Sequence, residues 1–273
     1  MNISISTANL HFAPFEKTLE IYKKAGYEYI ELAAYWRGGE WEIAQHLKDV
    51  KPRDVVRLVA QSGLKISTFH DMGGIIEDGH ESIVSRSTHE YLEYCDFPCL
   101  VFHVPHKKGA DAHWWEGYKN KAISDLRQLK GDRIICLENL SGFHEDYYMP
   151  ILTPDEMLRF ADEADIFVNL DTTHYAQGNI DILSAADTLR PKIKTVHLSD
   201  YAEGRKHVFL GEGCLDFKSF IERVNVEQLH AATVECAIPY EAGDETVAVE
   251  KAKNAKVFVE RLFDSACTGE NIF

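Results

Sequence analysis

The chain alternates between two periodicities, and this alternation limits what it can fold into more than any other feature. Short runs rich in Val, Ile and Leu recur at 2–7, 28–33, 65–70, 100–104, 134–139, 166–171, 194–199 and 232–237. Near-continuous apolar runs of this length suit parallel strands buried on both faces. Between them lie stretches with helical spacing, such as 15–25, 52–62, 116–129 and 246–263. Thr153-Pro154-Asp155-Glu156 has the form of a capping box with proline in the first turn. Asp216 is placed to cap the helix that follows it, and Gly26 and Gly63 stop helices just ahead of strands. Eight strand–helix repeats with no Ser/Pro-rich linker predict an α/β fold, a (β/α)8 TIM barrel, as a single domain over 1–273. The rival is a doubly wound open sheet, which usually announces a glycine-rich phosphate loop after its first strand. STANLHF at 6–12 is not such a loop.

The apparent carboxyl ends of these runs carry Glu31, His70, His103, Glu138, Asp171, His197 and Glu235. In a barrel these ends converge on one face, so the seven side chains ring one pocket. Gathering so many ionisable groups is costly unless something compensates, and a cation does so most simply. Glu138, Asp171, His197 and Glu235 form the expected ligand set. Three carboxylates and one imidazole suit Mn²⁺, Mg²⁺ or Co²⁺, with Zn²⁺ also admissible. For any one of them taken alone, a salt-bridged or capped strand end is the plainer reading.

At these residues the chain resembles the xylose isomerase-like TIM-barrel superfamily, in the branch of sugar isomerases/epimerases and endonuclease IV. The matching stretches are 27–32 YEYIEL, 136–139 CLEN, 170–174 LDTTH, 196–200 VHLSD, 211–217 GEGCLDF and 234–235 VE. The resemblance implies one divalent metal on Glu138, Asp171, His197 and Glu235, with Glu138 and Glu235 also moving protons. It implies an isomerase or epimerase of a small sugar, keto-sugar or polyol, working by proton abstraction alpha to a metal-bound carbonyl through an enediolate. A dehydratase of an inosose or dehydroshikimate-like acid would use the same site. By the same resemblance His70, His103 and Glu138 match a second metal site, although the two histidines also suit substrate contacts, which is the role favoured here. His174, expected on the loop after the sixth strand, is read as a substrate contact. Glu31 is either a substrate contact or a partner holding a neighbouring polar group.

The stretch 194–217, KTVHLSDYAEGRKHVFLGEGCLDF, separates the sugar enzymes from the nuclease. By resemblance, the nuclease takes a third zinc on an Asp-x-His pair here, where this chain has Arg205-Lys206-His207. A guanidinium cannot bind zinc, so Arg205 is read instead as a fork for substrate oxygens. The formal charge of −15 and the absence of a long basic block also argue against extended nucleic-acid contact. Aromatic residues crowd the expected strand-to-helix loops: Tyr35, Trp36, Trp41, Trp114, Trp115, Phe143, Tyr147 and Tyr148. Such rings can stack on a sugar, and Trp114 is taken as the substrate-side member; Trp114-Trp115 equally suits the first turn of a helix.

The remaining features bound the setting. No apolar run of about 18 residues occurs, and the N-terminus lacks a basic segment followed by an apolar one. The six cysteines contain no C-x-x-C pair, and buried thiols in a reducing cytoplasm fit them best. The expected partner is a small sugar-like molecule. A homodimer is compatible with such a barrel, but nothing in the sequence requires one.

Overall fold

The computed structural model describes residues 1–34, 47, 50–77, 81–142 and 146–268. Among them, eight parallel strands close into a barrel: β1 (Asn2–Ser6), β2 (Tyr29–Ala33), β3 (Lys65–Asp71), β4 (Cys99–His103), β6 (Ile134–Glu138), β8 (Phe167–Asp171), β9 (Ile193–Leu198) and β12 (Ala231–Val234). Each strand pairs with the next, and β12 returns to β1 through Asn2↔Ala231 and Ile5↔Val234. The remaining strands are short: β5 (Lys107–Lys108) pairs with β7 (Tyr147–Tyr148), and β10 (Asp200–Ala202) with β11 (Arg205–Val208). Helices cover the outside: α1 (Phe15–Lys24), α2 (Pro52–Ser62), α3 (Arg86–Leu92), α4 (Ala112–Lys130), α5 (Pro154–Ala164), α6 (Thr172–Gln177), α7 (Ile182–Leu189), α8 (Phe217–Arg223) and α9 (Thr246–Thr268).

The main apolar core lies between the barrel wall and these helices. One side of each strand feeds it: Ile5, Leu32, Phe69, Phe102, Leu137, Leu170, Leu198 and Val234 are all buried there with Leu19, Val59, Leu126 and Phe160 from the helices. Because successive strand residues face opposite sides, the alternate positions point into the barrel. There the near-continuous apolar reading of the runs fails in an informative way. Ser4, Ser6, Thr68, Asn169, Thr195 and Thr233 are fully buried polar residues. Ser4 Oγ meets Thr233 Oγ1 at 2.8 Å across the β1–β12 pairing. A separate small plug of Cys99, Val101 and Cys136, backed by Ile134 and Phe167, fills the other end. Cys95, Cys99, Cys136, Cys214 and Cys236 are free thiols.

The expected helix ends form as read. Thr153 Oγ1 accepts from Glu156 N, and Glu156 Oε2 accepts from Thr153 N at 2.9 Å, which completes the capping box. Gly63 ends α2 at φ 73°, and the Asp216 carboxylate accepts from Ser219 N at the start of α8. Trp114 and Trp115 lie in the first turn of α4, behind the N-cap Asp111. Among the described residues, no helix is long and apolar enough to cross a membrane.

Candidate active site

The carboxyl ends of the barrel strands bring Glu138, Asp171, His197 and Glu235 together, and all four are buried. One donor atom from each lies within 4.8 Å of the others. Local structure sets each one. Asp171 ends β8 and is the N-cap of α6, with Oδ1 accepting from Thr173 N at 2.8 Å and His174 N at 2.6 Å. Glu138 ends β6, and its Oε2 accepts from Asn169 Nδ2 at 3.0 Å. Asn139 joins the two strand ends by accepting from Asp171 N at 2.8 Å and donating to the Asp171 carbonyl at 3.0 Å. Glu235 follows β12 directly and is held by its N–H to the Leu198 carbonyl at 3.0 Å.

In Glu138 and Asp171 one oxygen is therefore committed to the protein while the other is not. Glu138 Oε1, Asp171 Oδ2, Glu235 Oε2 and His197 Nδ1 are all buried without a hydrogen-bond partner. His197 Nδ1 lies 2.9 Å from Glu235 Oε2 and 3.1 Å from Glu138 Oε2, close in distance but off-axis for a hydrogen bond. Each buried polar atom left so costs about 1–3 kcal/mol. Convergent, uncommitted donors of this type fit a divalent cation.

Beneath them, Glu31 is fully buried rather than open to substrate. Its Oε2 accepts from Thr68 Oγ1 at 2.9 Å and pairs with His197 Nε2 at 2.9 Å. Of its two expected roles, the geometry gives it the second. With Nε2 committed to Glu31, His197 turns Nδ1 toward the carboxylates, the arrangement by which a carboxylate fixes the tautomer of a ligand histidine.

His70 stands between Glu31 Oε1 at 3.4 Å and Glu138 Oε2 at 3.2 Å. Burial opposes its protonation, but Glu138 and Glu31 outweigh burial and raise its pKa to about 9. The same contest, with Glu31, Glu138 and Glu235 as partners, lifts His197 well above its ordinary value. Burial pushes the Glu138 carboxyl up, yet His197 and His70 hold it well below the usual carboxylate range. His103 behaves oppositely: burial dominates and lowers it to about 3. Its Nδ1–H donates to the Gly73 carbonyl at 3.2 Å, which leaves Nε2 as an acceptor 3.8 Å from Glu138 Oε1. His70, His103 and Glu138 form a second set with donors within 4.8 Å of one another.

His174 lies in the first turn of α6 rather than on a loop, because α6 begins immediately after Asp171. Its Nδ1–H donates to the Asn139 carbonyl at 3.0 Å, so Nε2 accepts from Lys206 Nζ at 3.1 Å. Arg205, expected to reach substrate, is exposed on β11, and among the described residues it is its neighbour Lys206 that hydrogen-bonds to His174. Trp114 is half-buried and stacks on Tyr118 at 5.1 Å, with Tyr148 edge-on at 6.3 Å. Tyr35, Trp36, Trp41 and Phe143 fall outside the described residues. Lys206, Asn139, Asn169 and Thr68 were not singled out from the sequence. An amide or hydroxyl at an inward strand position was the available signal for the last two.

The sequence profile of the xylose isomerase-like TIM barrel family matches residues 19–257. The chain belongs to that family. The family fold is also that of L-ribulose 3-epimerase, which superposes with a TM-score of 0.71 at 18% identity, covering 98% of this chain and 97% of the other. D-Psicose 3-epimerase from Clostridium cellulolyticum H10, solved with D-tagatose, superposes at 0.66 with 16% identity over 96% and 99%. The IOLI protein with a bound zinc atom superposes at 0.68 with 17% identity over 95% and 98%. Comparison with curated protein sequences finds no match.

Proposed function

We propose that this family member is a divalent-metal-dependent enzyme that isomerises or epimerises a small sugar, keto-sugar or polyol. The observation that carries this reading is the set of uncommitted buried donors on Glu138, Asp171, His197 and Glu235. These four residues hold the cation. When bound, a divalent cation supplies Lewis acidity to a carbonyl and its neighbouring hydroxyl, and so acidifies the C–H between them. Glu138 and Glu235 do the proton work. They stand on β6 and β12, separated in the wall by β8 and β9, so they approach a substrate carbon from different directions. His103 Nε2 is placed to accept from a substrate hydroxyl, and His174 keeps the α6 turn against Asn139.

The names of two structural neighbours, a ribulose and a psicose 3-epimerase, support a ketose substrate, and the zinc in the IOLI protein supports a metal. Lys206 argues against a phosphodiesterase, since an ammonium donating to His174 Nε2 competes with any metal for that lone pair. Protein purified without chelator should contain about one divalent ion per chain; about three zincs, or rapid nicking of abasic duplex DNA, would reverse the reading. In deuterated water, exchange of the proton beside the carbonyl should occur with at least one ketose or inosose. Glu235→Gln should abolish that exchange while substrate still binds, and persistence of exchange would remove Glu235 as a base.

A further inference from the structure

The hairpin of β10 and β11 directs two consecutive residues at the same buried histidine, which a regular strand does not do, because successive side chains face opposite sides. Lys206 Nζ lies 3.1 Å from His174 Nε2. The ring of the next residue, His207, meets the His174 ring edge-on at 5.2 Å. A bulge makes this possible. Ala202 pairs with Arg205 and Asp200 with Val208, so the second strand carries one residue more than the first between those pairs. His207 absorbs the excess at φ 56°, a left-handed conformation that costs a non-glycine residue about 1–3 kcal/mol. Its contacts hold it there: Nδ1–H donates to the Glu235 carbonyl at 3.1 Å, and its own carbonyl accepts from Ala237 N at 3.1 Å. Strand bulges re-aim side chains beside active sites in this way. The turn itself, Glu203-Gly204, has φ of 52° and 78°, as a tight two-residue hairpin requires.

His174 stands between Lys206 and Glu138, with one ring nitrogen toward each. Glu138 Oε1 lies 3.2 Å from Nδ1, and the lysine meets the other ring nitrogen, Nε2. The ammonium thus meets the His174 nitrogen that does not face Glu138, and His207, the next residue, packs on the same ring. A fixed cation at that place favours negative charge in whatever enters.

We propose that the hairpin is an anion subsite of the active site, in which Lys206 pairs with a carboxylate or phosphate at the far end of the substrate and His207 accepts from an adjacent hydroxyl. The inference rests on the sugar-isomerising reading above and narrows its substrate class to sugar acids or sugar phosphates.

The test is solvent-deuterium exchange by the metal-loaded enzyme on a neutral ketohexose, the matching ketohexuronate and the ketohexose 6-phosphate. One of the two anionic forms should show a kcat/KM at least about tenfold above that of the neutral sugar, and which one distinguishes carboxylate from phosphate. Lys206→Met should collapse that ratio toward one mainly through KM, and Lys206→Arg should restore most of it. The loss at Arg205→Met should be smaller than at Lys206→Met. Equal or better use of the neutral sugar by the wild type, a ratio unmoved by Lys206→Met, or a larger loss at Arg205 each overturns the subsite. Absence of exchange with all three sugars counts against the catalytic reading alone. Calorimetric binding of inorganic phosphate and malonate then decides the subsite: binding weakened about tenfold or more by Lys206→Met sustains it, and unchanged or absent binding rejects it.

Discussion

At the scale of single residues, the site is organised by half-committed groups. Asp171 spends one oxygen on the α6 N-terminus and Glu138 spends one on Asn169, while the other oxygen of each remains without a protein donor. Glu31 completes the pattern from below by taking His197 Nε2 and freeing Nδ1. In the proposed site Glu31 is a positioning residue for His197, and its variant has a readout independent of turnover. Glu31→Gln keeps the shape and removes the charge, and should weaken divalent-metal affinity about 10–100-fold in a chelator competition. Affinity equal to wild type in a folded Glu31→Gln protein would show that His197 needs no such support. Arg205 and Lys206 illustrate what adjacency hides. Both are cations in the same stretch, yet only the second is seen to hydrogen-bond into the cluster among the described residues.

At the scale of elements, most boundaries follow from local chemistry that acts within a few residues. α5 is the clearest example. Burial raises the Glu156 carboxyl, but the N–H groups of Thr153 and Leu152 outweigh it and lower its pKa below the ordinary 4.5. A carboxyl lowered on folding stabilises the protein above its unfolded value, and that contribution disappears as pH falls through the folded one. Thr153→Ala keeps both N–H donors but removes the hydroxyl that donates to Glu156 Oε2 at 2.9 Å, so it should cost about 1 kcal/mol in denaturant unfolding at neutral pH, and less in mild acid. A cost that is the same at both pH values would show that the bond from the Thr153 hydroxyl to the Glu156 carboxylate contributes nothing. The β10–β11 hairpin depends on longer reach. Asp200 accepts from Gly211 N, Gly213 N and Leu215 N at 3.1, 2.9 and 3.1 Å, which folds the glycine turn back under the hairpin. A Cβ on Gly213 would fall 2.3 Å from Asp200 Oδ1, so glycine is required there.

At the scale of the whole molecule, the barrel concentrates charge that has to be balanced. Without a cation, protons on His70 and His197 supply the balance, against the cost of burying them. Metal uptake should therefore release protons, and affinity should fall as pH falls. His70 is raised on folding from 6.5 to about 9, so its contribution to the metal-free protein is full below 6.5 and is lost as pH rises through about 9. The Tm of metal-free protein should decline as pH rises across that interval, and that of metal-loaded protein should decline much less. Parallel declines would show that metal does not replace those protons. Metal at about 100 times its Kd should add about 2.7 kcal/mol if it binds only the folded chain.

The order of amino acids alone was enough to show eight strand–helix repeats, the barrel they make, and the seven polar residues at its carboxyl end. Periodicity and caps act locally, so they can be read from a line of text, and a barrel places strand ends together whatever the loops do. Donor chemistry already set four of the seven apart as the expected ligand set, and the family resemblance pointed to the same four. What the line could not show is direction. The inward polar layer of Ser4, Thr68, Asn169 and Thr195 was hidden within apolar runs, since outward neighbours supply the hydrophobicity. Glu31's burial beneath the site, His174's place in a helix, and the hydrogen bond from Lys206 to His174 were decided only when the chain closed. A single bulged residue at φ 56° reverses the alternation from which a side chain's direction would be read. Its partners, the Glu235 carbonyl and the Ala237 N–H, lie about 30 residues away along the chain, within reach only in three dimensions.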